Sequence, residues 1–148
     1  MAAYTLNAVK CELALDVAQT FGEVRLQVTG GSMLPAVWPG DRLIVQRRDP
    51  NKIQPGQIIL YSRNGGLVAH RVVSRDGDRL LTRGDSLPQA DPPVPTNEVA
   101  GEIVSIVRRG RRVGPELTLG RRMVSWLLRR SDFSVRVLLH FGRNGWAR

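Results

Sequence analysis

From Ala8 to Phe21 the apolar positions Cys11, Ala14, Leu15, Ala18 and Phe21 recur at three- and four-residue intervals. That is the stripe of an amphipathic helix, and Gly22 supplies a stop. The period then changes: Val24, Leu26 and Val28 alternate with Arg25, Gln27 and Thr29, which predicts a half-buried strand running into Gly30-Gly31-Ser32. Beyond the breaker Trp38-Pro39-Gly40-Asp41, two apolar-rich strands are expected at Arg42 to Gln46 and, after Pro55-Gly56, at Gln57 to Tyr61. Asn64-Gly65-Gly66 reads as a hairpin turn into Leu67 to Ser74, and Asp76-Gly77-Asp78 as a second turn into Arg79 to Thr82. A Pro-rich loop from Pro88 to Pro95 precedes a last strand over Gly101 to Val107. Short strands joined by tight turns predict a mainly β, antiparallel and partly closed structure.

The end of the chain changes period again. On a helical wheel Leu119, Met123, Val124, Trp126, Leu127 and Leu128 share one face and Arg121, Arg122, Ser125 and Arg129 gather on the other, with Arg130 out of place. Ser131 or Asp132 can cap a second helix through Val135, Leu138 and Leu139, ended by Gly142. The pattern divides the chain into an N-terminal amphipathic helix over 1–23, a β domain over 24–107 and an Arg-rich helical hairpin over 108–148.

Charge sharpens that division. The net charge is +9 over 148 residues. Residues 1–107 hold 11 Lys and Arg against 11 Asp and Glu, whereas residues 108–148 hold 11 Arg against Glu116 and Asp132. A basic tail of this kind suits anionic lipid, an acidic partner or nucleic acid. Its sparse aromatics argue against nucleic acid, and Trp126 and Trp146 favour peripheral contact of 111–148 with an anionic membrane. The competing expectation is that the apolar face of the tail packs on the β domain. The single Cys11 cannot form an internal disulfide, and no apolar run is long enough to span a bilayer or resembles a secretory leader. A cytoplasmic protein, in part peripheral to the membrane, is the expectation. No Cys/His cluster suggests a metal and no Gly-rich loop suggests a nucleotide, so no cofactor is expected.

The candidate chemistry lies at Gly31-Ser32-Met33-Leu34-Pro35. A serine that ends a strand after glycines can present its hydroxyl at a surface where its own N–H, at the Gly31-Ser32 peptide, faces a developing oxyanion. Composition alone would make Ser32 an ordinary turn residue. The order of motifs around it is more specific: Gly40-Asp41 follows the serine, then Pro55-Gly56-Gln57-Ile58-Ile59, then Ala69-His70-Arg71-Val72-Val73, then Thr82-Arg83-Gly84-Asp85-Ser86.

In these motifs, from about Val24 to Val107, the chain resembles the type I signal peptidase superfamily, whose fold the self-cleaving SOS-response repressor shares. The resemblance implies Ser32 as nucleophile and places the general base at His70, where bacterial signal peptidases carry a lysine and the endoplasmic-reticulum and archaeal branch a histidine. Lys10 and Lys52 are the only lysines, and neither lies in the matching strand. The histidine branch uses an aspartate in or just after the Gly-Asp box to orient the base, so Asp85 is the first candidate and Asp91 the second. Asp41, Asp76 and Asp78 read as braces of turns. Where some members place an oxyanion-binding hydroxyl this chain has Gly30, which leaves the Ser32 backbone with Gly31 for that role.

The function these readings support is a serine endopeptidase that cleaves a dedicated precursor protein through a Ser-His(-Asp) mechanism. The 31 residues before Ser32 are expected to be too few for a DNA-reading domain with a cleavage linker, and the segment from Ala8 to Phe21 is too short for a membrane anchor. The alternative from another class is a non-catalytic peptidase-like module whose basic tail contacts membrane or nucleic acid.

Overall fold

The computed structural model describes residues 13, 16, 17 and 20–130. The helix expected before Gly22 is present at the described positions Leu13, Asp16, Val17, Thr20 and Phe21. Cys11, Ala14, Leu15 and Ala18 of its apolar stripe lie outside the described residues, as does the second tail helix. Phe21 is 76% exposed.

Among the described residues eight strands form one antiparallel sheet, with β1 (Glu23–Gln27), β2 (Arg42–Gln46), β3 (Ile58–Arg63), β4 (Gly66–Asp76), β5 (Arg79–Arg83), β6 (Val94–Pro95), β7 (Val99–Arg108) and β8 (Arg111–Val113). The spatial order is β1-β2-β7-β3-β4-β5-β6, with β8 paired to β7, and the sheet does not close on itself. Among the described residues one helix, α1 (Leu119–Arg129), comes after β8. Six of the strands lie where hydrophobic alternation and breakers place them. The short β6 and β8 carry no such signal: β6 lies within the expected Pro-rich loop, where Leu80 pairs with Val94. The two expected hairpin turns form, and at the first Asn64 and Gly65 take φ of 51° and 71°, the left-handed pair that matches the twist of the flanking strands.

Strand β3 explains how the sheet is stabilised. Its residues Ile58, Ile59, Leu60 and Tyr61 are all buried, as required of a strand covered on both faces. Ile58 and Leu60 point into a core with Leu43, Val45, Ile103 and Ile106, onto which Met33, Ala36 and Val37 of the Ser32 turn fold. Ile59 and Tyr61 point into the opposite core with Ile53, Val72, Leu80 and Val94. Apolar burial of a side chain the size of Met33 or Val37 contributes about 1.5–3 kcal/mol, so these residues just beyond Ser32 fix the turn that carries it. Asp41 adds an ionic tie. Its carboxylate, 2% exposed, accepts from the Trp38 N–H at 2.8 Å and from Arg108 Nη2 of β7 at 2.7 Å.

The tail helix forms, but its apolar face is split: Val124 and Leu128 turn toward the β domain and the rest of that face turns outward. Ser125 and Leu128 are buried, while Leu119, Met123, Trp126 and Leu127 are 80%, 70%, 53% and 55% exposed. Polar bonds explain the choice. The Ser125 hydroxyl and Arg129 Nε both donate to the carbonyl of Asp85, so the helix docks through these bonds together with Leu128 and leaves the ridge of Leu119, Met123, Trp126 and Leu127 outward.

Candidate active site

Ser32, His70 and Asp91 meet through two hydrogen bonds. His70 Nε2 lies 3.0 Å from Ser32 Oγ, and His70 Nδ1 lies 2.6 Å from Asp91 Oδ2. Each comes from a different element: Ser32 from the turn after β1, His70 from β4, and Asp91 from the loop between β5 and β6. His70 stands opposite Ile59 in the β3–β4 ladder and is 6% exposed. The ring of Tyr61 meets the imidazole edge-on, with centroids 6.4 Å apart.

Asp91 is held by several groups at once. The loop returns to the sheet through its N–H, which donates to the Thr82 carbonyl at 2.8 Å. Its Oδ2 accepts from Thr82 Oγ1 at 2.7 Å and from the Tyr61 hydroxyl at 3.1 Å, besides contacting His70. Arg63 approaches Oδ1 at 3.5 Å. Burial acts to raise the carboxyl's pKa, but the hydrogen bonds from His70 and Thr82, the histidine's charge and the Tyr61 bond together outweigh it and hold it below the usual value. Tyr61 is affected oppositely. Burial, opposed by its bond with Thr82 and reinforced by the Asp91 charge, pushes its phenol up to about 12. The hydroxyl therefore stays neutral and able to donate.

Asp85, the first candidate for the histidine's partner, is elsewhere. Its carboxylate, 1% exposed, takes a two-pronged ion pair from Arg71, Nε to Oδ1 at 2.9 Å and Nη2 to Oδ2 at 2.7 Å. Strand geometry is the reason. Neighbouring residues of a strand point to opposite faces, so Arg71 points away from the face that His70 uses, and Asp85 joins Arg71 on that other face.

The Gly-Asp box acts on the nucleophile through its backbone and through Ser86. A β-carbon at Gly84 would sit 2.6 Å from the Ser32 carbonyl oxygen, so only glycine allows the approach. Ser86 then fixes the turn: its N–H donates to Ser32 O at 3.0 Å, and its hydroxyl lies 2.9 Å from Ser32 O and 3.1 Å from Gly31 O. Tyr61, Thr82 and Ser86 were not singled out in the sequence. For Thr82 a signal existed, because alternation with the buried Leu80 places a polar side chain on a core-facing position.

A cleft of about 370 Å³ opens beside Ser32 and His70. Its walls are Leu26, Val28 and Gly30 on one side and Leu67 and Ala69 on the other. Lys52 lines a different cavity, with Arg48, Gln57 and Glu102. Among the described residues no cluster of three or more His, Cys, Asp or Glu could hold a metal, and no helix is long and apolar enough to cross a membrane.

An open antiparallel sheet with a serine and a histidine lining an apolar cleft, and an aspartate hydrogen-bonded to that histidine, is a peptidase-like fold. The family model for Peptidase S24-like proteins matches residues 11–104, and the chain belongs to that family. Among curated proteins none matches the chain.

Proposed function

We propose that this protein is a serine endopeptidase in which Ser32 is the nucleophile, His70 the general base and Asp91 the group that orients and charges the base. The observation that carries this reading is one imidazole hydrogen-bonded on both nitrogens, to the serine of the turn after β1 and to a half-buried carboxylate. With Nδ1–H donating to Asp91, Nε2 is left as acceptor and can take the Ser32 proton as Oγ attacks a peptide carbonyl. The same proton passes to the leaving amine, and water repeats the sequence to release the acyl group. The oxyanion is assigned to the N–H of Ser32, next to Gly31 and Gly30, which offer no side-chain donor. A histidine in the base position relates the site to the histidine branch of the signal peptidases rather than to the lysine branch.

The cleft supports a peptide substrate in extended form. β1 is an edge strand, and the stretch of β4 before Arg71 has no partner in β5. A substrate strand lying between these edges would find backbone groups to pair with and aliphatic walls for small uncharged side chains. Such a segment in a dedicated precursor protein is the substrate class we assign.

The experiment is labelling of the full chain with a fluorophosphonate. Covalent modification that vanishes in Ser32→Ala and His70→Ala supports the peptidase. An unlabelled, folded protein would overturn it in favour of a peptidase-like binding module.

A further inference from the structure

On the far side of the Gly-Asp box, a second cavity of about 480 Å³ lies between α1 and strands β4 and β5. Arg71, Arg83, Arg122 and Arg129 line it, with Asp85 as the one carboxylate. That carboxylate is taken up by Arg71, so among the described residues the other three arginines line the cavity with no ion pair of their own. Arg83 Nε is buried with no hydrogen-bond partner there, a costly state for a cationic donor. Arg129 shows the same pressure: burial first, and then the charges of Arg83 and Arg71, hold its pKa below the usual guanidinium value against the pull of Asp85. The cavity is built for an anion with several acceptor oxygens.

The rim identifies which kind. Trp126 lines the cavity and also belongs to the outward ridge of α1 with Leu119, Met123 and Leu127. Arg130 lies over its indole at 4.6 Å. An apolar ridge beside a cationic cavity, with an indole at the boundary, matches the layered chemistry of a lipid interface, where hydrocarbon and phosphate lie a few ångströms apart. A free anion would satisfy the arginines but leave the ridge in water.

We propose that the cavity between α1, β4 and β5 receives the phosphate of an anionic phospholipid while the ridge Leu119, Met123, Trp126 and Leu127 enters the membrane surface. The peptide cleft belongs to a separate site, so this inference stands or falls independently of the peptidase reading. It also gives α1 a link to the nucleophile, because the Asp85 carbonyl that Ser125 and Arg129 hold is followed directly by Ser86, which fixes the Ser32 turn.

The test is co-sedimentation of the full chain with vesicles of phosphatidylcholine, with and without phosphatidylglycerol. The parent should partition onto the phosphatidylglycerol vesicles and not onto pure phosphatidylcholine. At about 1 kcal/mol per basic side chain near an anionic surface, Arg122→Gln and Arg83→Gln should each weaken partition about five-fold. Arg42→Gln, on the exposed start of β2, should leave it unchanged, and Trp126→Ser should weaken it while keeping the charge. Arg122 is exposed, so its variant decides the matter even if Arg83→Gln fails to fold. Equal binding by Arg122→Gln and the parent, or equal binding to both vesicles, overturns the proposal. So does thermal stabilisation by inorganic phosphate that depends on Arg122 in a protein that ignores vesicles, since the site would then take a free anion.

Discussion

Asp85 and Asp91 both lie beyond β5 and both end close to the serine turn, yet their surroundings give their charges different uses. Asp85 is enclosed at 1% exposure and its charge is spent on the Arg71 guanidinium. Asp91 is reached mainly by neutral donors, the hydroxyls of Thr82 and Tyr61, with the more distant Arg63 at 3.5 Å on its other oxygen. A carboxylate permanently paired with arginine has little field left for a second cation. One held by hydroxyls keeps its negative charge fixed in place and available to an imidazole that becomes positive during a reaction.

The largest expected effect tests that division directly. Asp91→Asn keeps shape and most hydrogen bonds but loses the charge and reverses the amide side's bonding to His70, so hydrolysis should fall on the order of 10⁴-fold with the melting temperature nearly kept. A peptide-cleavage assay beside a thermal melt reads both quantities. If Asp85→Asn instead removes activity from a protein of unchanged stability, the roles given to the two carboxylates are reversed.

Asp85→Asn should act on folding. It takes the countercharge from Arg71, which is 11% exposed and keeps its bonds to the Gly56 and Pro115 carbonyls, so the cost is at most the roughly 3–5 kcal/mol of a broken buried pair, visible as an earlier midpoint in urea denaturation. Activity per folded molecule should fall much less than in Asp91→Asn. Replacing both Arg71 and Asp85 by apolar residues should recover part of the loss, because no unpaired charge then remains.

The two aspartates also differ in how legible they were. The ordered motifs pointed to Ser32 and His70, which the fold brings within 3.0 Å of each other, and strand alternation placed β1 to β5 and β7. Alternation also implied that Arg71 and His70, as neighbours on one strand, face opposite sides, and the choice of Asp85 as the histidine's partner neglected this. The Pro-rich stretch concealed Asp91, since a loop's path depends on a backbone bond such as Asp91 N–H to Thr82 O that no periodicity encodes. The outward apolar face of α1 was hidden for a related reason. A wheel ranks faces by hydrophobicity, whereas two polar bonds to the Asp85 carbonyl rotate the helix so that only Val124 and Leu128 of its apolar face turn inward.

The pH dependence of stability separates the aspartates further. Asp91 has a folded pKa below its ordinary value, so its ionised form favours the folded state, fully so above an unfolded pKa of about 3.9. That contribution is lost as pH falls from there through the folded value. Denaturation midpoints of the parent should therefore decline on acidification below about pH 4, and Asp91→Asn should show a shallower decline. An equal slope in both would mean that the carboxylate is not held as the structure has it.

The smallest effect concerns Tyr61, whose hydroxyl is one of three donors to Asp91 Oδ2. Tyr61→Phe removes that oxygen from a side chain that is 1% exposed and leaves the ring packing against Ile59 and Val72 in place. Thr82 and His70 still bind Asp91, so the carboxylate should remain oriented, with its pKa somewhat higher because one bond to the charged form is gone. A hydrogen bond to a charged group contributes about 1.5–3 kcal/mol at most, which bounds the loss in kcat at roughly one to two powers of ten, with KM unchanged. The alkaline side supplies the readout that a packing defect would not move. A phenol raised to about 12 favours the folded state fully below its unfolded pKa of about 10, and that contribution is lost as pH rises through the folded value. The parent should lose stability across this alkaline interval and Tyr61→Phe should lose less, so that their denaturation curves converge. Parallel curves would show that the Tyr61 hydroxyl is not coupled to the Asp91 charge, and the contrast between the two aspartates would then rest on Thr82 and His70 alone.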